Sequence, residues 1–231
     1  MSGFFVTGTD TDCGKTRVSV ALIHVLKQTG LVVAPFKPVA AGAEYVSGQL
    51  RNGDALQLMD AAGGQWSYAQ VNPYCLEPPI SPHLAAREAG VVIRQAPIQE
   101  AYRTLERQAD VVLVEGAGGW LVPLRDDWHI EDMALMLGLP VILVVGLRLG
   151  CLNHARLSLA RMRSSGATAA GWIGSVLDPD MLRLEENIAS LHDLLDAPCL
   201  GVLPHLGPAG SGAIHLDANA LLKALGLPGG S

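Results

Sequence analysis

The apolar run Phe4-Phe5-Val6 leads into Gly8-Thr9-Asp10-Thr11-Asp12-Cys13-Gly14-Lys15-Thr16, and an amphipathic stretch follows immediately. A strand that passes its last turn to such a loop, and the loop to a helix, commits the chain to an α/β design built around a phosphate-binding turn. Gly14 lets the backbone approach a phosphate closely, and successive N–H groups converge on its oxygens. Lys15 adds a mobile cation, and the Thr16 hydroxyl can ligate magnesium. Thr9 occupies the place of the usual first glycine, with Gly8 one residue earlier, so the loop is a variant of the common spacing. A nucleoside triphosphate is the expected ligand.

Apolar runs of strand length recur at Phe4–Thr7, Val32–Phe36, Val111–Val114, Val141–Val145, Ala170–Ile173 and Leu200–Leu203. The segments between them mostly carry helical spacing, clearest over Thr16–Gln28, Ile98–Gln108, Asn153–Arg163, Leu182–Leu195 and Ala218–Leu225. That alternation predicts a mostly parallel sheet with helices on both faces, a three-layer α/β fold. Gly30, Gly166 and Gly226 lie just past three of the helices, as C-terminal stops should. With 231 residues, 49% of them hydrophobic and only 16% charged, a single domain with strands buried on both faces is expected. The stretch 40–97 is richer in Gly and Pro, including Glu77-Pro78-Pro79-Ile80-Ser81-Pro82, and reads as an insertion of short helices and binding loops.

A formal charge of −6 without clustered Lys or Arg argues against a nucleic-acid surface. Cys13, Cys75, Cys151 and Cys199 form no C-x-x-C pair, so neither a zinc site nor a disulfide framework is signalled, and reduced thiols in cytoplasm are expected. The strongly apolar, uncharged stretch Met133 to Leu147 is split by Pro140 and is shorter than the ~20 residues that span a bilayer, so it reads as core and not as a membrane anchor. No basic residue precedes the first apolar run, and a cleaved leader would remove the phosphate loop, so the first residues are expected to belong to the fold.

In open parallel sheets ligands gather beyond the carboxyl ends of the strands. Val111-Val112-Leu113-Val114 is followed by Glu115 and then by Gly116-Ala117-Gly118-Gly119, a carboxylate and a small-residue turn where a nucleotide site needs them. Lys37, in Phe36-Lys37-Pro38-Val39, closes the second strand and can neutralise charge that moves during phosphoryl transfer. Asp54 follows Asn52-Gly53 at a helix start, and its ordinary role would be an N-cap worth about 1 kcal/mol. Asn153, in Gly150-Cys151-Leu152-Asn153, could also cap a helix, or the amides there could bind a carboxylate. His83, His154 and His205 show no metal-ligand spacing, so packing or hydrogen-bonding roles are expected of them, and Cys13 reads as tolerated within the loop and not as a nucleophile.

Val6 to Thr11 with Gly14-Lys15-Thr16, Lys37-Pro38-Val39-Ala40, Arg51-Asn52-Gly53-Asp54-Ala55, Val71-Asn72-Pro73-Tyr74, Ser81-Pro82-His83, Val114-Glu115-Gly116-Ala117-Gly118-Gly119-Trp120 and Leu149 to His154 recur in order. Together they closely resemble the dethiobiotin synthetase family as far as about Trp172. The resemblance implies a P-loop NTPase-like fold and an ATP- and magnesium-dependent ligase that closes a cyclic urea on 7,8-diaminononanoate with carbon dioxide. By that resemblance Asp12, Cys13, Gly14, Lys15, Thr16 and Arg17 line the nucleotide phosphates, and Glu115, Gly116, Ala117 and Gly118 close the other side. Thr16, Asp54 and Glu115 hold magnesium, and Lys15 and Lys37 are the catalytic cations. Thr11, Lys37, Ala41 and Gly118 face the substrate. The family is a homodimer, in which Gly150, Cys151 and Asn153 receive the carboxylate tail of the substrate in the partner's site.

The chain departs from the family pattern where an Asn-Asp pair often reads the adenine base: here stand Ser175-Val176. Val176 cannot accept a hydrogen bond from an exocyclic amine, which leaves base recognition to backbone groups near Pro204, His205 and Leu206 and predicts looser selectivity for ATP. Ala41 replaces a frequent serine and Asn187 an occasional tyrosine, each a hydrogen bond worth ~1 kcal/mol to substrate affinity. Two other readings compete: a nucleotide-gated switch of the partitioning type, whose early loop lysine is absent, and a ligase of the same fold with another substrate.

Overall fold

The computed structural model describes residues 3–205 and 215–227. The first half of the chain runs β1 (Gly3–Gly8), α1 (Lys15–Gln28), β2 (Val33–Phe36), β3 (Val39–Ala40), β4 (Glu44–Val46), β5 (Gln49–Arg51), α2 (Gly53–Ala62), α3 (Tyr68–Val71), β6 (Tyr74–Cys75), α4 (Pro82–Glu88) and α5 (Gln95–Glu106). It continues with β7 (Val111–Gly119), β8 (Pro123–Arg125), β9 (Trp128–His129), α6 (Ile130–Leu137), β10 (Val141–Leu147) and α7 (Cys151–Ser164). Then follow β11 (Ala169–Val176), α8 (Leu184–Leu194), β12 (Cys199–Leu203) and α9 (Ala218–Leu225).

Among the described residues the main sheet has six strands, ordered β12-β11-β10-β1-β7-β2. Every pairing in it is parallel. Near-continuous apolar runs such as Phe4-Phe5-Val6 and Val141 to Val145 are buried on both faces, which requires helices on each side of the sheet. Helix α1 supplies one such cover, burying Val18, Leu22 and Leu26 at four-residue intervals. Helix α5 packs against β7 and β2, while α7 lies against β10 and β11. Because β1 is central, the chain leaves it in one direction toward β2 and later fills the other side with β10, β11 and β12. That switch point opens a crevice at the carboxyl edge beside the loop after β1.

Several elements differ from the sequence expectation for local reasons. Helix α5 starts at Gln95 and not Ile98, because Pro97 falls in the first turn, where its missing N–H costs no internal hydrogen bond. Strand β7 does not end at Val114: it continues through the glycines to Gly119, which pairs with Gly8 after an irregularity in register. A Cβ at Gly116 would lie 3.0 Å from the Phe5 ring, so the small residues serve close packing of an extended strand and not a turn at that point. The segment 40–97 carries β3 to β6 as well as short helices, in a two-stranded parallel pair and a hairpin. Leu182, assigned to a helix by its apolar character, precedes α8 and is exposed.

Candidate active site

The loop after β1 ends on Gly14, which caps α1 in the left-handed conformation at φ +91°. A Cβ there would also lie 2.3 Å from the Ser175 Oγ, so only glycine seats the loop on the end of β11. Asp12 adopts φ +59°, a left-handed geometry that short polar side chains tolerate better than most. No acidic residue occupies the first turn of α1, which leaves its amides and the positive end of the helix dipole to an anion. The Lys15 ammonium folds back over the loop and donates to the Asp10 carbonyl at 3.0 Å. Cys13 is buried beneath the loop, and burial pushes its thiol up despite the nearby Lys15 charge, so it packs as a neutral group.

The second half of the site follows from strand register. Phe36 pairs with Val114, so Lys37 comes level with Glu115, which itself pairs with Val6 two residues before the end of β1. Glu115 is fully buried, and its Oε1 accepts from Lys37 Nζ at 2.6 Å and from the Thr16 hydroxyl at 2.9 Å. Lys37 Nζ also donates to Asp54 Oδ2 at 3.1 Å and to the Gly116 carbonyl at 3.2 Å. One ammonium therefore joins both carboxylates. Burial alone would pull Lys37 down, but the charges of Glu115 and Asp54 outweigh it and raise the ammonium above its ordinary value. For Asp54 burial pushes upward, and the Lys37 charge overcomes it and holds the carboxyl below its ordinary range.

Asp54 is free to do this because it is not the helix cap. Asn52 caps α2, its side chain accepting from the amides of Asp54 and Ala55 at 3.1 and 3.2 Å. Glu115 Oε2 is buried without a partner. An orphaned oxygen on a buried carboxylate is what a hard divalent cation would satisfy, so the donor set of Thr16, Asp54 and Glu115 fits magnesium. Among the described residues no group of three or more His, Cys, Asp or Glu is placed to hold a metal, so phosphate and water oxygens would have to complete such a shell.

A cavity of about 740 Å³ opens over the loop, lined by Thr11, Asp12, Gly14, Lys15, Thr16, Arg17, Lys37, Ala41, Asp54, Ala117 and Gly118 among the expected residues. Glu115 and Gly116 do not line it themselves: they accept hydrogen bonds from the lining residues Thr16 and Lys37, Glu115 from both and Gly116 from Lys37. Ala40, Gln57, Val122 and the stretch Pro79 to Pro82 complete the wall. Of these, Ala40 and the Pro-rich run stood in stretches the sequence singled out, whereas Gln57 and Val122 carried no signal there. Gly150, Cys151 and Asn153 do not line this cavity. Helix α7 starts two residues before Asn153, the Cys151 side chain is buried, and its amide donates to Arg148, so neither its thiol nor its amide is open to a ligand. Ser175 is also buried, and it faces Gly14 under the loop and not an outer base pocket. Val176 is buried as well, while Pro204 and His205 are exposed and the Pro204 carbonyl accepts from Arg17. Leu206 lies outside the described residues.

A parallel sheet with this loop at its switch point, a buried strand-end carboxylate and a second lysine defines a P-loop nucleotide-binding protein. Residues 2–211 match the AAA domain family. The solved MinD cell division protein of Aquifex aeolicus aligns with a TM-score of 0.60 over 96% of this chain and 98% of its own, at 14% identity, which establishes the shared fold alone. The chain is 51% identical over 224 residues to the ATP-dependent dethiobiotin synthetase BioD of Pseudomonas paraeruginosa, covering 96% of this chain and 98% of that one. It is 47% identical over 226 residues to that of Aromatoleum aromaticum, covering 98% and 97%. The chain belongs to the ATP-dependent dethiobiotin synthetase family.

Proposed function

We propose that this chain, as one domain, makes dethiobiotin from 7,8-diaminononanoate, carbon dioxide and ATP, releasing ADP and phosphate. The observation that carries the reading is the Lys37 ammonium clasped by Glu115 and Asp54 at the wall of the cavity that begins on the phosphate loop. One amine of the diamine adds to carbon dioxide and loses a proton, giving a carbamate. A carbamate oxygen attacks the terminal phosphorus of ATP, and ADP leaves. The neighbouring amine then attacks the carbonyl carbon of the mixed anhydride, the C–O bond to phosphate breaks, and the ring closes with loss of a proton to solvent.

The residues divide this work by charge. Amides from Asp12 to Arg17 hold the phosphates, and Lys15 exchanges the Asp10 carbonyl for phosphate oxygens. Lys37 opposes the charge that passes from carbamate to phosphoryl group. Thr16, Asp54 and Glu115 would hold magnesium, which would supply further neutralisation at the phosphates. Thr11, Ala41 and Gly118 bound the diamine, and base contacts fall to the region of Arg17, Pro204 and His205.

The start of α7, through Gly150 and Asn153 and not through the buried Cys151, binds the carboxylate tail of a substrate seated in a partner subunit. Its separation from the cavity supports that arrangement, as do Leu149 and Leu157, 93% and 63% exposed beside it, which offer apolar surface to a second copy. Among the described residues no helix is long and apolar enough to cross a membrane. The reading is tested by mixing protein with diamine, bicarbonate, ATP and magnesium and following dethiobiotin and phosphate together. One-to-one formation that is lost in Lys37→Ala is expected, whereas phosphate release independent of the diamine would refute it.

A further inference from the structure

Two sequence motifs are not used by the chemistry above: Asn52 ahead of Asp54, and Asn72-Pro73-Tyr74. Both converge on the hydroxyl of Tyr68, at the start of the one-turn helix α3. That helix is set by a capping box in which Ser67 and Gln70 satisfy each other. The phenol oxygen accepts the Asn52 amide N–H at 2.7 Å and donates to Asn72 Oδ1 at 2.8 Å, with Cys75 Sγ at 3.2 Å. Arg51 stacks its guanidinium 4.1 Å from the ring centroid, which fixes the plane of the ring.

From this hydroxyl two buried arms run to Lys37 and Asp54. Asn72 Nδ2 donates to the Lys37 carbonyl at 2.6 Å and to the Tyr74 carbonyl at 3.2 Å. With the amide nitrogen facing two carbonyls, the side-chain oxygen can only accept, and Tyr68 is the donor that meets it. On the other arm Asn52 caps α2 through the amides of Asp54 and Ala55, and its Nδ2 donates to the carbonyl of Ala41 at 3.2 Å. Asn52 and Asn72 are 5% and 3% exposed, so water does not replace a lost partner cheaply. Neither Tyr68 nor Asn72 lines the cavity.

We infer that Tyr68 is a positioning residue: through Asn72 and Asn52 it fixes the backbones of Lys37 and Asp54 relative to each other, and so sets the ammonium at the distance the reaction needs. The inference rests on the roles proposed for Lys37 and Asp54. Polar chains of this kind hold geometry to fractions of an ångström, and small misplacements of a reacting group cost large factors in rate.

The test is Tyr68→Phe in the full chain, which keeps the ring and removes only the hydroxyl. The expected result is a kcat at saturating substrates at least ten-fold lower, with the Kd for ADP in EDTA, read by calorimetry, within two-fold of the parent. Mn²⁺ affinity of the ADP complex, read by electron paramagnetic resonance, falls several-fold as Asp54 moves. If Tyr68→Phe does not fold, Asn72→Asp tests the same link, setting a carboxylate oxygen against the Lys37 carbonyl, with the same split expected. A parental kcat in the folded variants, or a loss of ADP affinity matching the loss of kcat, overturns the positioning role. Lys37→Ala and Asp54→Ala run beside them: activity kept in those two overturns the site reading and this inference with it. Activity lost in them but kept in Tyr68→Phe overturns this inference alone.

Discussion

Lys37→Met measures how much of the fold depends on the site's own electrostatics. In the parent the ammonium is buried against a fully buried Glu115, at 2.6 Å. Removing it leaves Glu115 with Thr16 as donor on one oxygen and nothing on the other. Breaking a buried pair from one side strands an uncompensated charge and costs ~3–5 kcal/mol. Asp54, whose side chain is 42% exposed, rehydrates, and its share is at most ~1 kcal/mol. For a domain of this size each kcal/mol moves the melting point by ~2–4 °C, so the combined loss of ~3–6 kcal/mol is expected to lower it by roughly 6–24 °C in EDTA without nucleotide. The pair Lys37→Met with Glu115→Gln removes the stranded charge and recovers at least half of that loss. The pH dependence follows from the two shifts. Lys37 is raised, so its contribution is complete below the unfolded value of ~10.4 and is lost as pH rises through the higher folded value. Asp54 is lowered, so its contribution is complete above ~3.9 and is lost as pH falls through the lower folded value. Thermal scans by circular dichroism check this, and a melting difference under about 2 °C at neutral pH would refute the picture of an ammonium holding two carboxylates together.

Thr16→Val removes the hydroxyl that meets Glu115 and is expected to abolish magnesium-dependent ATP binding while ADP still binds in EDTA; unchanged binding by calorimetry would count against the metal site. Gly14→Ala places a Cβ against Ser175 and forces a left-handed alanine, which alone costs ~1–2 kcal/mol, so ADP affinity in EDTA is expected to fall by more than ten-fold. With Val176 unable to accept from an exocyclic amine and Ser175 turned beneath the loop, CTP and GTP are expected to compete measurably with ATP. Strict ATP preference in a competition assay would show that backbone groups suffice to read the base.

The phosphate loop was legible because its parts are contiguous: a strand, a glycine and a Lys-Thr pair act within one turn of chain, so spacing alone carries the chemistry. Lys37 and Glu115 were each visible as strand-end residues, but their contact depends on β2 and β7 being neighbours in register, which no local pattern encodes. Asp54 shows the opposite difficulty. Asn52 and Asp54 can both cap a helix, and propensity favours neither. The choice is made by Lys37, whose charge draws the carboxylate away and leaves the cap to Asn52. Gly116 to Gly119 read as a turn because glycine usually marks one, yet Phe5 packs too close to Gly116 for a side chain there and Gly119 still pairs with Gly8 of β1, so β7 runs on through these residues with Gly118 left-handed at φ +64°. Tyr68 had no signal at all. A lone tyrosine beside a serine looks like any surface position, and only the fold shows that its hydroxyl reaches both Asn52 and Asn72. What the sequence withholds is therefore not which groups carry charge but which uncharged groups hold them, since a neutral hydrogen bond leaves its trace only where two distant segments meet.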